Sequence, residues 1–398
     1  MAETTLGLLG LYRCGNLGDE AIWRAFVDGI RDVSPTLHLR MVTYGPGGFD
    51  AAWIPDDPVA ADGVLHQLAL DARHARRFDW MYWLPVGVVR FLRELAGTQA
   101  LWYAGGHWIH DLSLTTLAGI LAPIVWSRWR GRSAGFVNVG VGPLATAAGR
   151  RLARHGLHGV EPLVVRDEHS AKVLRGAGVR QSASVAADTA HLLDPAPPEL
   201  IEEAWTQLVG SEQRPVVGLV PCAWFKLADL YRPDTRLVDT MIASLADLVR
   251  RLEAAGHAVV LLPTMLPEDE IVAHRIASRA DDLPRVAPIR DWPARTLLGV
   301  IGRLRALVSF RMHPVLFANR MRTPFVALDY APKVRSLVAD LGLSRWLVPL
   351  DDNWPAAMTE KVEQLLADPD PFAGATDLEA LRERARAGII AALATLPD

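Results

Sequence analysis

Short runs of β-branched and other apolar residues alternate along the chain with longer segments whose apolar residues recur at helical spacing. The segment after the first such run places Ile22, Phe26 and Ile30 on one helical face. Parallel sheets flanked by helices have this alternation. The predicted strands are residues 6–12, 37–44, 100–104, 135–139, 163–166 and 184–187, and then 216–220, 258–263, 286–289, 306–310 and 325–329.

The two series of strands are separated by Pro195-Ala196-Pro197-Pro198 and by a polar, turn-rich stretch at 210–215. A chain of 398 residues is long enough for two domains that each bury a full core. We therefore predict two Rossmann-like α/β domains, at residues 1–200 and 211–398, with ligands at the carboxyl ends of their strands. A final helix, capped at Thr376 with Glu379 three residues later, is predicted to pack back on the body through its apolar stripe.

Composition narrows the class of protein. Half of the residues are apolar and the net charge is −3, as is usual for a globular protein. Cys14 and Cys222 are the only cysteines, which excludes a disulfide framework and a cysteine-based metal site. The N-terminus has no basic region before its apolar run, and the longest apolar windows are too short or too interrupted to span a bilayer. These features predict a cytoplasmic protein.

Thirteen tryptophans are present, many of them in the first third of the chain. Core packing is one role for them, and stacking on a sugar or contact with a membrane surface are the alternatives. The residues concerned are Trp80, Trp83, Trp102, Trp108, Trp126 and Trp129.

Positive charge is concentrated near the sequence Ser309-Phe310-Arg311-Met312-His313-Pro314. Residues 303–345 carry seven arginines and Lys333 against only Asp329 and Asp340. In a mildly acidic protein this local excess indicates an anionic ligand at one site and argues against a nucleic-acid surface. The alternative is a solvated helix face with scattered arginines.

The same sequence predicts a helix that begins at Pro314, with His313 as its N-cap. An anion bound there meets both Arg311 and the helix dipole. A bound phosphate or carboxylate favours a protonated His313, which is the form that a general acid needs.

Polar residues also follow strands of the first series. Asn16 and Asp19, in a glycine-containing turn, can cap the next helix or hydrogen-bond a diol, and the turn is not a Walker loop. His107, His110 and Asp111 follow a Gly105-Gly106 pair, but their spacing matches no zinc pattern, so no metal is predicted.

Arg166 ends a further strand of the first series. Its guanidinium can grip a carboxylate or phosphate in bidentate fashion, or belong to a surface cluster with Asp167 and Glu168.

The ordered set of motifs resembles the polysaccharide pyruvyl transferase family. The shared motifs include Gly15-Asn16-Leu17-Gly18-Asp19-Glu20, Val165-Arg166-Asp167-Glu168-His169-Ser170 and Ser309-Phe310-Arg311-Met312-His313. Residues 105–106, 139–144, 187–190 and 329–333 supply the remaining matches, so the resemblance covers most of the chain.

The resemblance implies a glycosyltransferase-B-like fold and transfer of the carboxyethylidene unit of phosphoenolpyruvate to two hydroxyls of a sugar, without metal or organic cofactor. It places the donor in the second domain with His313 as the catalytic acid, and the acceptor (a sugar, a glycan or a lipid-linked glycan) in the first domain. The implied donor-binding residues are Arg311, Met312, Arg166 and Lys333. The implied acceptor-side residues are Asn16, Asp19, His107 and Asp111. No nucleic acid is expected, whereas homo-oligomerisation and peripheral contact with the inner face of the membrane are left open.

The sequence departs from the family pattern at three positions. His107 stands where a third glycine is usual, Cys222 where an arginine is frequent, and Pro314 where alanine is common. Lys226, Arg13 or Arg305 could replace the missing arginine. Two rival hypotheses stay open: a nucleotide-sugar-dependent transferase of the same fold, with Asp329 or Asp188 on the ribose, and a non-catalytic binding protein with a decayed site.

Overall fold

The protein is described from a computed structural model that covers residues 4–10, 15–43, 66–67, 95–223 and 235–396. These residues form two compact units. The first unit contains the described residues up to Leu193, except Gly15–Gly18, and those from Glu379 onward. The second unit contains Gly15–Gly18 and Asp194–Leu378.

The first unit is built on a parallel sheet whose described strands follow the order β3-β2-β1-β4-β6-β7-β8, with β5 paired to β6. Its central strands are almost continuously apolar and buried, as expected of a parallel sheet covered on both faces. The strands are β1 (Thr5–Gly10), β2 (His38–Thr43), β3 (His66–Gln67), β4 (Ala100–Ala104), β5 (His107–Ile109), β6 (Ser133–Val141), β7 (Leu163–Val165) and β8 (Ser184–Val185).

Helices cover this sheet and bury apolar side chains against it. Phe26 and Ile30, predicted on one helical face, are fully buried with Leu8 and Trp102 in one core cluster. The helices are α1 (Leu17–Val33), whose first two residues belong to the second unit, α2 (Leu114–Trp129), α3 (Ala147–Gly156) and α4 (Glu168–Gly176).

The second unit has a parallel sheet of order β11-β10-β9-β12-β13-β14. Numbered from its own first strand, this is the 3-2-1-4-5-6 order of a Rossmann fold. Its strands are β9 (Val216–Val220), β10 (Ala258–Leu261), β11 (Arg285–Val286), β12 (Ala306–Ser309), β13 (Phe325–Asp329) and β14 (Leu347–Pro349). Its helices are α5 (Pro198–Val209), α6 (Thr235–Ala254), α7 (Glu268–Arg279), α8 (Ala294–Ile301), α9 (Met312–Arg320), α10 (Pro332–Asp340) and α11 (Trp354–Ala367).

The last helix, α12 (Leu378–Leu393), packs on the first unit. Ile389 is fully buried among the residues of β1, β4 and α1, and the Asn138 side-chain amide donates to the carbonyl of Ala385 at 2.9 Å. The expectation of two Rossmann-like units with a returning terminal helix is confirmed. Thr376 is not the N-cap, because the helix begins at Leu378 and the Thr376 hydroxyl donates to the carbonyl of Asp340 at 2.8 Å.

Some boundaries differ from the sequence-based expectation. The predicted strand at 286–289 is shorter, because Ile289 begins a 3-10 turn, and the short strands β3, β5 and β14 were not predicted. Trp102 and Trp108 are core residues, whereas Trp129 is 81% exposed. Trp80, Trp83 and predicted strand residues 11, 12 and 44 lie outside the described residues.

Candidate active site

Three neighbouring strands of the second unit, β9, β12 and β13, end at the edge that carries Arg311 and Lys333. Strand β12 lies between β9 and β13, and Ser309 pairs with Val220 on one side and with Ala327 on the other. Chain order reverses between β9 and β12, and ligands of open parallel sheets bind at such a point. Cys222 follows β9, Arg311 follows β12, and Lys333 follows β13.

The Ser309 hydroxyl shapes the loop after β12. It accepts a hydrogen bond from the backbone N–H of Arg311 at 3.0 Å and donates one to the Arg311 carbonyl at 2.7 Å. This turn makes Arg311 the extended N-cap residue and starts α9 at Met312. The prediction that His313 is the N-cap is therefore wrong, because the helix begins earlier and His313 lies in its first turn. The side chain of Arg311 makes no capping hydrogen bond to the first turn of this helix.

Arg311 is held by a buried carboxylate that sequence analysis missed. Its Nη2 and Nε atoms donate to the two oxygens of Asp269 at 2.6 and 3.0 Å, and the Asp269 side chain is fully buried. Asp269 also accepts from the backbone N–H groups of Ala223, at 2.7 Å, and Met265, at 3.1 Å. Burial alone would lower the pKa of Arg311, but the charge of Asp269 outweighs it and raises that pKa. The guanidinium is thus held in place as a permanent cation. Its Nη1 atom takes no part in the two hydrogen bonds to Asp269.

His313 lies against the family motif at Asn16. The segment Gly15–Gly18 joins the second unit by pairing with the residues before α7: Leu17 N–H donates to the Thr264 carbonyl at 3.0 Å, and Leu266 N–H donates to the Gly15 carbonyl at 2.8 Å. A Cβ atom at Gly18 would lie 2.0 Å from Nδ1 of His313. Glycine is required here because the imidazole occupies the space of a side chain.

Lys333 and Tyr330 extend the cationic edge. The Lys333 ammonium lies 5.6 Å from the centroid of the Tyr330 ring, in the first turn of α10, which also has no side-chain cap. Asp329 is neutralised by Arg335, whose Nη2 lies 2.6 Å from its Oδ2. The charge of Lys333 is therefore not cancelled by the neighbouring carboxylate.

Cys222 and Met312 are buried parts of this edge. Burial raises the pKa of the Cys222 thiol to about 12, although the charges of Arg311 and Lys333 act in the opposite direction. The thiol is therefore neutral at physiological pH. It fills space beside Arg311 where the family frequently has another arginine.

Arg166 belongs to the first unit, and its surroundings differ. Its side chain is 5% exposed, Nη1 lies 3.1 Å from Oδ2 of Asp188, and Nε lies 3.4 Å from Oδ2 of Asp167. Two carboxylates thus flank one guanidinium. Asp167 also caps α4, by accepting from the N–H of Ser170 at 2.6 Å. The role of Arg166 as a donor clamp stays a prediction.

The predicted acceptor residues fall in both units. Asn16 lies in the second unit, where its side-chain oxygen accepts from the N–H of Gly18 at 3.1 Å. Asp19 lies in the first unit, in the first turn of α1. Of the four predicted acceptor-side residues, Asn16 therefore lies in the same unit as Arg311 and His313.

His107 and Asp111 also lie in the first unit. His107 Nε2 contacts the Gly142 carbonyl, and its ring stacks on His110 with centroids 5.8 Å apart. Burial alone would raise the pKa of Asp111, but hydrogen bonds from Thr146 and Ala145 outweigh it and lower that pKa. Asp111 thereby fixes the turn before α3. Among the described residues, no group of three or more His, Cys, Asp or Glu side chains is arranged to hold a metal ion.

Of the cations suggested to replace an arginine at Cys222, Arg13 and Lys226 lie outside the described residues. Arg305 is directed elsewhere, since it donates to the carbonyl of Leu366 at 3.1 Å.

The family model for polysaccharide pyruvyl transferases matches residues 16–332. The chain therefore belongs to the polysaccharide pyruvyl transferase family. Membership makes the protein a transferase, and the name of the family implies a polysaccharide acceptor.

Solved structures with the same fold are distant in sequence. UDP-GlcNAc 2-epimerase from Neisseria meningitidis, bound to UDP-GlcNAc, superposes with a TM-score of 0.66 at 12% identity over 98% of this chain and 99% of that one. The epimerase from Methanocaldococcus jannaschii, in complex with UDP-GlcNAc and UDP, gives 0.62 at 10% identity over 97% and 99%. The N-terminal domain of trehalose-6-phosphate phosphatase from Candida albicans gives 0.55 at 10% identity over 98% and 95%. These likenesses confirm the glycosyltransferase-B-like fold.

Proposed function

We propose that the protein transfers the carboxyethylidene unit of phosphoenolpyruvate to two hydroxyls of a glycan and releases phosphate. The observation that carries this proposal is the convergence of Arg311, His313 and Lys333 at the switch point of the second unit, beside the Gly15–Gly18 motif. Phosphoenolpyruvate carries a carboxylate and a phosphate on one small alkene. One fixed cation, Arg311, one flexible cation, Lys333, and a proton donor suit these two anionic groups.

The reaction needs one proton at carbon. His313 protonates the methylene carbon of phosphoenolpyruvate, which becomes the methyl group and leaves positive charge at C2. The first sugar hydroxyl adds to C2 and loses its proton. The C2–O bond to phosphate then breaks, and the second hydroxyl closes the ketal and loses its proton. General acid catalysis of this kind supplies about 10²–10⁴-fold.

The cations act on the two anionic groups of the donor. Arg311, fixed by Asp269, offers N–H donors whose direction is set before the substrate arrives, which lowers the cost of ordering them. Lys333 offers a flexible ammonium for the departing phosphate. The first N–H groups of α9 favour an anion at the same edge.

The rival use of a nucleotide sugar is less well supported. A carboxylate would be needed for the ribose hydroxyls, but Asp329 is paired with Arg335 and Asp188 with Arg166. The decayed-site hypothesis is addressed by turnover, because it predicts ligand binding without phosphate release.

The test is calorimetric titration of the protein with phosphoenolpyruvate and, separately, with uridine diphosphate. We expect saturable binding of phosphoenolpyruvate that falls at least tenfold in Lys333→Met. Arg311→Ala is a poorer first variant, because it would leave the buried Asp269 carboxylate unpaired and unfold the site. Arg303→Met is the matched control, since that arginine pairs with Glu202 on the surface. Binding of the nucleotide alone would overturn the proposal.

A further inference from the structure

One stretch of the first unit is strongly one-sided in charge. Between Asp111 and Glu161 the sequence has no acidic residue, in a protein whose net charge is −3. The charged residues of this stretch are Arg128, Arg130, Arg132, Arg150, Arg151 and Arg154. The described structure places this stretch in α2, β6 and α3 and the turns between them.

Helix α2 presents an uncharged face to the solvent. Ala118, Ala122, Val125 and Trp129 follow one another at intervals of four, three and four residues, which puts them on one side of the helix, and all four are exposed. Trp129 is 81% exposed and Val125 45% exposed. A surface helix normally turns charged or polar residues to the solvent. This face therefore has the composition of a contact surface.

Arginines border the Trp129 end of that face. The Arg128 Nη1 donates to the His158 carbonyl at 2.6 Å, which joins the ends of α2 and α3, and the Arg130 guanidinium lies 5.3 Å from the ring centroid of Trp126. Arg151 and Arg154 are exposed on α3. The apolar face and the positive charge thus meet at one end of the two helices.

We propose that this surface, formed by the exposed face of α2 and the arginines at the ends of α2 and α3, binds an anionic lipid bilayer. Tryptophan side chains locate at the boundary between headgroups and acyl chains, and arginines next to them bind anionic headgroups. Among the described residues no helix is long and apolar enough to cross a membrane.

Other partners fit the surface less well. A nucleic acid would use the arginines but not the uncharged face of α2. A second copy of the chain, paired about a two-fold axis through this surface, would bring its own arginines against those of the first copy. An anionic bilayer can contact both parts of the surface: the apolar face of α2 at the edge of the acyl chains, and the arginines at the headgroups.

The experiment is sedimentation of the full-length protein with vesicles of phosphatidylcholine, with or without about a third of phosphatidylglycerol. We expect binding only to the anionic vesicles, weakened by salt. Trp129→Ser is expected to weaken binding at least tenfold, and Arg130→Gln with Arg154→Gln roughly 25-fold, at about fivefold for each charge. Ile271→Ser, which removes another exposed apolar side chain in the second unit, is the matched control and should bind as the wild type.

Three results would overturn the inference: equal binding to neutral vesicles, no binding to either, or variants that bind as tightly as the wild type. Binding of a single-stranded RNA oligomer to the same variants is measured as well. If it binds and only the arginine variant weakens it, the surface is a nucleic-acid site. Calorimetry with phosphoenolpyruvate keeps this result separate from the proposed function, because Trp129→Ser should leave that titration unchanged.

Discussion

Each unit places an arginine after a strand and pairs it with a buried carboxylate, but the two arginines have different charged neighbours. Beside Arg311 stands Asp269, and Lys333 adds a further positive charge. Beside Arg166 stand two carboxylates, those of Asp167 and Asp188. We propose that an arginine at a strand end does not by itself define an anion site. The balance of charge around it does.

The two units also differ in how the first turns of their helices are capped. In the first unit, side chains cap α2, α3 and α4: Ser113, Thr146 and Asp167 each accept from a first-turn N–H. In the second unit, α9 and α10 have Arg311 and Ala331 as N-cap residues, and neither side chain caps its helix. Uncapped N–H groups attract an anion, whereas capped ones are already satisfied. The second unit thus has the edge that better suits an anionic ligand.

The largest effect is expected from His313→Gln. If the imidazole delivers the proton, phosphate release with a glycan acceptor should fall about 10²–10⁴-fold, while phosphoenolpyruvate affinity changes less than about fivefold. His274→Gln, on the exposed face of α7, is the control. Near-normal turnover in a folded His313→Gln protein would remove this residue from the mechanism.

Asp269→Asn should cost about 3–5 kcal/mol of unfolding free energy, because it leaves the Arg311 guanidinium in a largely buried site without its carboxylate. Urea denaturation measures this. Asp239→Asn, at an exposed pair with Arg275, should cost no more than about 1 kcal/mol. Asp188→Asn sharpens the comparison: we expect it to destabilise the protein without weakening phosphoenolpyruvate binding.

The first unit should lose stability in acid through His191. Burial lowers the pKa of this fully buried imidazole to about 4. The unfolded chain takes up a proton below about pH 6.5, whereas the folded protein does not do so until about pH 4. The resulting stability is complete above pH 6.5 and declines between pH 6.5 and 4, by about 3 kcal/mol.

Denaturation series at several pH values test this slope. His191→Gln should flatten it, and the exposed His274→Gln should not. An unchanged slope in His191→Gln would contradict the assignment.

A smaller effect is expected from Gly18→Ala. The added Cβ would meet Nδ1 of His313 at 2.0 Å, so the imidazole must move. We expect roughly a tenfold loss of turnover and some loss of stability, because the higher helix propensity of alanine offsets only part of the steric clash. Gly176→Ala, where a Cβ meets nothing within 4 Å, is the matched control. Full activity in Gly18→Ala would show that the ring position does not matter.

Much of the fold could be predicted from local pattern. The strands at Ala100–Ala104, Val216–Val220 and Phe325–Asp329 end where the apolar runs end. The role of Asp269 could not be predicted from the sequence, because its contact with Arg311 joins residues 42 positions apart. The only signal was an acidic run after Pro267, which also fits an ordinary first helical turn.

The start of α9 was misjudged for a local reason. Pro314 suits a first helical position, but the Ser309 hydroxyl closes the preceding turn at Arg311. The helix then begins at Met312, and Pro314 occupies its third position, where its missing N–H is still tolerated. A side-chain hydrogen bond decided the boundary against the residue preference.

The most direct test compares Arg311→Lys with Arg166→Lys in titrations with phosphoenolpyruvate. Each variant keeps a positive charge beside its buried carboxylate but loses the planar, bidentate guanidinium. We predict at least a tenfold loss of affinity in Arg311→Lys and less than a twofold change in Arg166→Lys. The opposite order, with Arg166→Lys impaired and Arg311→Lys unchanged, would place the donor on the first unit and contradict the account.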